Sequence, residues 1–377
     1  MSNPLLAGIL LATISMPAIA DYQYRSPMGM EFSPAEVTSE ENMPTGLHSL
    51  SCGIYHCYGL KDGTVWSVGY NSYGQLARES TAHQNTWGDT GFAADKIIAG
   101  ISGGFALVNG RLWAVGYNGY GLLGLGDSTH RHSFVDTGHN VTGVAGGRYT
   151  TYIIKNGTVW SAGRNDQGQR ARTTSITPAD EFGDTGLVAS KVVSRGNFAM
   201  AISNGTVWSV GQNNYDQLAR SGTNSIWGDT GFVADDIVAG GHHTYALKDG
   251  VIWSVGYDHY GQIGRAIGTG TQPTWFNTGQ AASKIAAGWR FGYAINNGEV
   301  LVVGDNDYGQ LSLGDGSSSK QTAWVSVGQA ANDIHTGYYF GYVKSGDQLF
   351  ASGRNGYGEL GLGDNIRRNS FTEVTLP

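Results

Sequence analysis

The chain has 377 residues, among them 59 glycines, 20 tyrosines, 10 tryptophans and 2 cysteines, and a net charge of −7. Glycine stands at roughly twice its usual share without a G-X-Y period, which excludes collagen, and 11 % aromatic residues exclude a disordered chain. An acidic balance without long basic runs excludes a phosphate-neutralising surface, and two cysteines are too few for a disulfide-rich scaffold or a four-thiolate zinc site.

In chain order, residues 1–20 read as a signal peptide. Leu5 to Ile14 is an apolar run, and Ala18-Ile19-Ala20 supplies the small-x-small pattern for cleavage before Asp21. The expected location is therefore secreted or periplasmic, with no transmembrane segment after cleavage. Residues 21–46 form an N-terminal segment that either pairs beside the first repeat or stays without fixed structure. From residue 47 to 377 one pattern repeats. Its first copy closes Val65-Trp66-Ser67-Val68-Gly69, and the closing glycine recurs at Gly116, Gly163, Gly211, Gly256, Gly304 and Gly353, at spacings of 47, 47, 48, 45, 48 and 49.

Each unit predicts four short strands. A β-branched run ending in small residues, as in Lys96 to Gly100, suits a strand beside a crowded axis. A second run follows, as in Tyr245-Ala246-Leu247, and then a two-residue turn. The turns are Asp62-Gly63, Asn109-Gly110, Asn156-Gly157, Asn204-Gly205, Asp249-Gly250, Asn297-Gly298 and Ser345-Gly346. Asn-Gly and Asp-Gly favour positive φ at both central positions, which matches the twist of a hairpin. The third strand carries Trp66, Trp113, Trp160, Trp208 and Trp253, replaced by Leu301 and Phe350 in the last two units. Mid-strand placement predicts that these tryptophans form the core between units, with truncation costing ~3–5 kcal/mol. Segments such as Phe134 to Gly138 and Trp227 to Gly231 predict a fourth, outer strand. The fold class expected is all-β: a seven-bladed β-propeller with four-stranded antiparallel blades, preferred over a β-solenoid because seven hairpin-rich copies suffice to close a ring. Phe371 to Leu376 aligns with an outer strand while the first unit begins with an inner one, so the closure of the ring is left open.

The pattern of Ala-Gly, a small-apolar strand, Asp/Asn-Gly, Val-Trp-Ser-Val-Gly and Asn-x-Tyr-Gly-Gln-Leu resembles the regulator of chromosome condensation repeat over residues 47 to 377. The third unit is looser, with Asn165-Asp166-Gln167-Gly168-Gln169-Arg170, and the fourth has Asp216 where glycine is expected. The resemblance implies a seven-bladed propeller. The namesake's nucleotide exchange on a small GTPase and its docking on chromatin do not suit an exported, acidic chain. The pattern also resembles the secreted propeller-type β-lactamase inhibitory proteins, which grip an enzyme with the loop after Ala-Gly. That resemblance makes them the nearest functional analogue and implies a partner-binding role for the matching loops.

Those loops read Ile54-Tyr55-His56, Ile101-Ser102-Gly103, Arg148-Tyr149-Thr150, Gly196-Asn197-Phe198, Gly241-His242-His243, Trp289-Arg290-Phe291 and Tyr338-Tyr339-Phe340. They are the variable part of an otherwise regular unit, and Tyr, Trp and Arg dominate interface energetics. The partner-binding set expected is Tyr55, His56, Arg148, Tyr149, Asn197, Phe198, His242, His243, Trp289, Arg290, Tyr338 and Tyr339. A second series, Tyr73, Tyr120, Tyr215, Tyr260, Tyr308 and Tyr357, is expected to pack beside the next blade. Cys52 and Cys57 flank a four-residue loop at small-residue positions and form a possible disulfide.

Catalytic signals are thin. No H-E-x-x-H or G-x-S-x-G motif appears, and no metal on His56, His242 and His243 is expected. Asp89, Asp136, Asp184 and Asp229 stand in Asp-Thr-Gly, the tripeptide of aspartic proteases, but its repetition in four units reads as Asx-turns between strands. The expected function is an exported, non-catalytic, monomeric propeller without cofactor or nucleic acid. It would inhibit or scaffold a secreted or periplasmic enzyme. The alternatives are a carbohydrate-binding lectin-like propeller and a guanine-nucleotide exchange factor-like effector.

Overall fold

In the computed structural model, residues 46–172, 179–266, 270–314 and 319–376 are described. The expected signal peptide and nearly all of the expected 21–46 segment lie outside them. The tight Asp-Gly and Asn-Gly turns fold each repeat into a meander, and seven four-stranded antiparallel sheets result. Blade 1 runs through strands β1 (His48–Cys52), β2 (His56–Lys61), β3 (Thr64–Gly69) and β4 (Gln84–Ala93). Blades 2 to 7 span 96–140, 143–188, 191–233, 236–281, 284–330 and 333–373 in the same order from axis to rim. Inner strands contact one another around a complete cycle, the last one meeting the first. The outer strand Arg368–Glu373 belongs to blade 7 and pairs with that blade's third strand. Every blade is thus one contiguous segment, and the ring closes by packing rather than by a shared sheet.

The turn chemistry works as read in six blades, with φ of 52° and 74° at Asp62-Gly63 and similar pairs at the next five. The seventh differs. Ser345 pairs with Gln348, so the turn is Gly346-Asp347 and only Gly346 has positive φ. Glycine first is the arrangement that a type II′ hairpin wants.

The core between blades departs from expectation. Trp66, Trp113, Trp160, Trp208 and Trp253 do face the preceding blade, but all five are only partly buried. Lys61 and Lys155 lie over Trp66 and Trp160 at 4.6 and 4.5 Å. The deep anchors come from the strands on either side. Second strands, covered on both faces, bury Tyr58, Tyr152, Tyr245, Tyr293 and Tyr342 completely. Their hydroxyls donate to the carbonyls of Gln75, Gln169, Gln262, Gln310 and Glu359, so all five hydroxyls are satisfied. Against these rings lie aromatics of the next blade, in its outer strand or, for Trp227, just before it: Phe134 on Tyr58, Trp227 on Tyr152, Trp324 on Tyr245, Phe371 on Tyr293, and Trp87 on Tyr342 across the closing seam. Asp89, Asp136, Asp184 and Asp229 make the expected Asx bonds, their carboxylates accepting from the glycine two residues on at 2.7–2.8 Å. They sit within outer strands at irregularities of pairing, not between strands.

Candidate partner-binding face

The loop between first and second strands and the loop after the third strand lie at the same end of every blade, because alternate strands run in opposite directions. Both are held by backbone. The residue after each closing glycine donates its N–H to the first loop: Tyr70 to Tyr55, Tyr117 to Ser102, Arg164 to Tyr149, Gln212 to Asn197, Tyr257 to His242, Asp305 to Arg290 and Arg354 to Tyr339, at 2.8–3.0 Å. The closing glycine makes this approach possible. Gly69 has φ 106°, and a Cβ there would run into the carbonyl of Tyr55; Gly163, Gly304 and Gly353 repeat the geometry. The third-strand loop folds on itself, with Asn71 accepting from the N–H of Leu76 at 2.8 Å and its counterparts doing the same in the other six blades.

A partial ring of bonds circles the channel mouth as well. Ile54 N–H donates to Ile101, Arg148 to Gly196, Gly241 to Trp289, Trp289 to Tyr338 and Tyr338 to Ile54, at 3.0–3.4 Å. Below it runs a central channel of about 330 Å³, lined by inner strands of all seven blades.

Nine of the twelve residues read as partner-binding share this face: Tyr55, Arg148, Tyr149, Asn197, His242, Trp289, Arg290, Tyr338 and Tyr339. Trp289 is only 6 % exposed. It stacks on Tyr338 at 4.6 Å and meets His242 at 5.1 Å over the mouth. His56, Phe198 and His243 are not on the face. Each opens a second strand and is fully buried, at the position that Phe291 and Phe340 hold in other blades. Burial lowers the pKa of His56 to about 4 and, with help from His242 and Arg195, that of His243 to about 3, so both are neutral core rings. Among the described residues no group of three or more His, Cys, Asp or Glu is placed to hold a metal. Cys52 and Cys57 face each other across β1 and β2 and are bonded, with Cα atoms 4.1 Å apart.

The second tyrosine series joins the same face. Tyr120 meets Tyr149, Tyr215 meets His242, Tyr308 meets Tyr339 and Tyr357 meets Tyr55, each reaching the following blade within 4.8–5.2 Å. These rings remain partly exposed. Sequence reasoning missed Arg164 and Arg354, which stack on Tyr149 at 5.3 Å and Tyr55 at 4.1 Å. The signal was there: the residue after the closing glycine varies as freely as the first loop does. It also missed Arg195, which stands where the other six blades have Gly53, Gly100, Gly147, Gly240, Gly288 and Gly337. From blade 4 its guanidinium crosses the channel to the carbonyls of Gly337 (2.6 Å), Thr336 (2.7 Å) and Cys52 (3.3 Å), on blades 7 and 1. Burial pushes its pKa down to about 10.

Fold and loops together define a seven-bladed β-propeller built from contiguous repeats, with its variable side chains gathered at one end. Among solved structures it is similar to Prp20p from Saccharomyces cerevisiae (15 % identity, 88 % of this chain and 87 % of that chain, TM-score 0.74) and to human WBSCR16 (20 %, 79 % and 86 %, 0.69). It also matches yeast RCC1 (Prp20) bound to Kap60 (13 %, 92 % and 91 %, 0.73). The propeller fold of RCC1 is thus the fold of this chain, in agreement with the resemblance its repeats carry. No family model and no curated relative matches the sequence.

Proposed function

We propose that the chain is an exported, non-catalytic protein-binding propeller that grips a secreted or periplasmic enzyme with its tyrosine and arginine face. The observation that carries this reading is the pairing of a backbone-fixed loop frame with Tyr55, Tyr149, Arg290 and Tyr339 at its surface. Such residues bury large area at little rotamer cost, and preorganised loops spare the ordering penalty of binding. The Cys52–Cys57 bridge suits an oxidising compartment. The yeast propeller Prp20p binds Gsp1p, histones and Kap60, so this fold serves protein partners elsewhere. Among the described residues no helix is long and apolar enough to cross a membrane.

The test is capture of the partner from the periplasmic fraction by the mature chain. Changing Tyr55, Tyr149, Arg290 and Tyr339 together to Ala is expected to abolish capture with little loss of melting temperature; capture that persists sinks the reading. A lectin-like alternative draws on a cleft of about 180 Å³ lined by Tyr55, Tyr70, Tyr73 and Tyr357, rings suited to stacking on sugars. A glycan array decides it. Nucleotide release from small GTPases tests the exchange-factor alternative that Gsp1p binding by Prp20p brings to mind.

A further inference from the structure

Four arginines stack on the tyrosines of this face, and they fall into two kinds. Arg164 and Arg354 already hold carboxylates, Asp166 and Glu359, each at 2.6 Å. The guanidiniums of Arg148 and Arg290 make aromatic contacts without a hydrogen bond or ion pair to any described residue. Arg148, from blade 3, lies 5.1 Å over Tyr149 and leans across the channel mouth to 6.0 Å from Trp289 of blade 6. Arg290 lies 4.1 Å over Tyr260 and 5.9 Å from Tyr339. Both guanidiniums lie close enough to act on the same two rings of the mouth, His242 and Tyr338. Burial first, and then those two charges, bring His242 to about 4, leaving it neutral there.

The carboxylate that bears on Arg290 from within the fold is Asp305. It is 1 % exposed and accepts the N–H of Asp307 at 3.0 Å. Burial raises its pKa to about 6, so at neutral pH it is largely ionised and acts on Arg290 through space, without a hydrogen bond to the guanidinium. Beneath the mouth, Arg195 adds a third positive group, already satisfied by carbonyls. On a chain of net charge −7, this is a local positive spot with two unused guanidinium forks on a rigid aromatic floor.

We propose that the channel mouth is the seat for an aspartate or glutamate side chain from an acidic segment of the protein partner, held between Arg148 and Arg290 against Trp289 and Tyr338. The inference rests on the protein-binding reading above and adds the chemistry of what is gripped. Guanidinium forks match a carboxylate in geometry as well as charge, and aromatic backing excludes water from the pair. The acidic remainder of the surface would repel the same segment elsewhere, so charge sets the docking position and the rate of encounter.

The experiment titrates labelled oligoglutamate, oligoserine and glucuronate-oligosaccharide probes into the full mature chain, read by fluorescence anisotropy at low and high salt. Oligoglutamate is expected to bind in preference to the other two and to weaken as salt rises. Arg148→Gln with Arg290→Gln should weaken it about tenfold or more, whereas Arg111→Gln, paired with Asp136 at the opposite end of blade 2, should change it less than about twofold. Circular dichroism and melting check each variant, and the single substitutions should fall between. Equal affinity for oligoserine, preference for the glucuronate probe, or binding indifferent to the double substitution overturns the proposal. Oligoglutamate failing while partner capture persists removes the carboxylate seat alone; loss of capture in the wild-type chain removes the platform reading.

Discussion

Arg195 offers the sharpest test of how the ring is closed. Blades 7 and 1 share no strand, and the guanidinium from the opposite side of the channel bonds carbonyls on both. Arg195→Met keeps an apolar stem in the channel and deletes the donors. Hydrogen bonds from a charged group contribute ~1.5–3 kcal/mol each, and the 3.3 Å bond to Cys52 counts for less than the other two. Against this stands the burial of the cation. A pKa lowered from 12.5 to about 10 corresponds, at ~1.4 kcal/mol per unit, to a cost of about 3 kcal/mol at neutral pH. The net stabilisation is therefore ~1–4 kcal/mol. With an unfolding entropy of ~2.1 cal/mol/K per residue over the propeller, the melting temperature should fall by ~2–6 °C. Calorimetry reads the magnitude and amide exchange reads the place. Exchange should quicken in His48–Cys52 and Asp333–Thr336 more than in Gly143–Gly146, an inner strand that the guanidinium does not touch. An unchanged melting temperature, or acceleration spread evenly around the ring, would refute the idea that this side chain fastens the seam.

Two further outcomes follow from burial. Trp87, 2 % exposed against Tyr342, should cost ~3–5 kcal/mol on truncation to Ala, while Trp66, partly exposed under Lys61, should cost about half that or less; denaturant melts that rank the two the other way would return the third-strand tryptophans to the deep core. Asp305 has a folded pKa raised to about 6 from 3.8, so the folded state binds its proton more tightly than the unfolded state does. Its ionisation therefore costs the fold stability above about pH 6, and that penalty is absent below about pH 4. Asp305→Asn, which keeps an acceptor for the Asp307 N–H, should raise stability at pH 7 by ~1–3 kcal/mol and leave it nearly unchanged at pH 4. A variant no more stable than wild type at pH 7 would show that Arg290 already compensates the charge.

The period, the hairpin turns and the small residues beside the axis were legible because they answer to local rules: two positive φ angles, a crowded inner strand, a fixed repeat length. The seventh turn slipped by one residue because Ser345-Gly346 and Gly346-Asp347 are equally good punctuation on paper, and only the pairing of Ser345 with Gln348 selects between them. The tryptophan misreading has a physical cause as well. Regular spacing marks a position as structural without telling how deeply it is covered: Val68, on the same face as Trp66, is fully buried, while Trp66 is covered only in part. The same limit placed His56, Phe198 and His243 on the binding face. One residue along a strand reverses the side on which a ring lies, and all three are the first residue of a second strand. Arg195 was visible as a break in a run of glycines; that it reaches blades 7 and 1 follows only once the ring is closed.

What makes this face variable is that its frame is written in backbone. Each first loop is tied through main-chain N–H and C=O groups to the residue after a closing glycine, and five of the seven loops are tied in the same way to the next blade. Those bonds are indifferent to the side chains at the two positions after the glycine, which hold Ile54-Tyr55, Arg148-Tyr149, Gly241-His242 and Trp289-Arg290 without a change of path. The neighbours are not free. The closing glycine cannot gain a Cβ, the residue opening the second strand must fill the core, and a side chain at the preceding glycine must enter the channel, as Arg195 does. A scaffold with two unconstrained positions per blade, bounded by fixed ones, can change what it grips without risking how it folds. Exchanging Tyr149 and Asn197 between their blades should therefore alter partner affinity several-fold while the melting temperature stays within about 2 °C, the small change expected of surface positions. A collapse in stability on that swap would mean that the side chains, not the main chain, hold the loops in place.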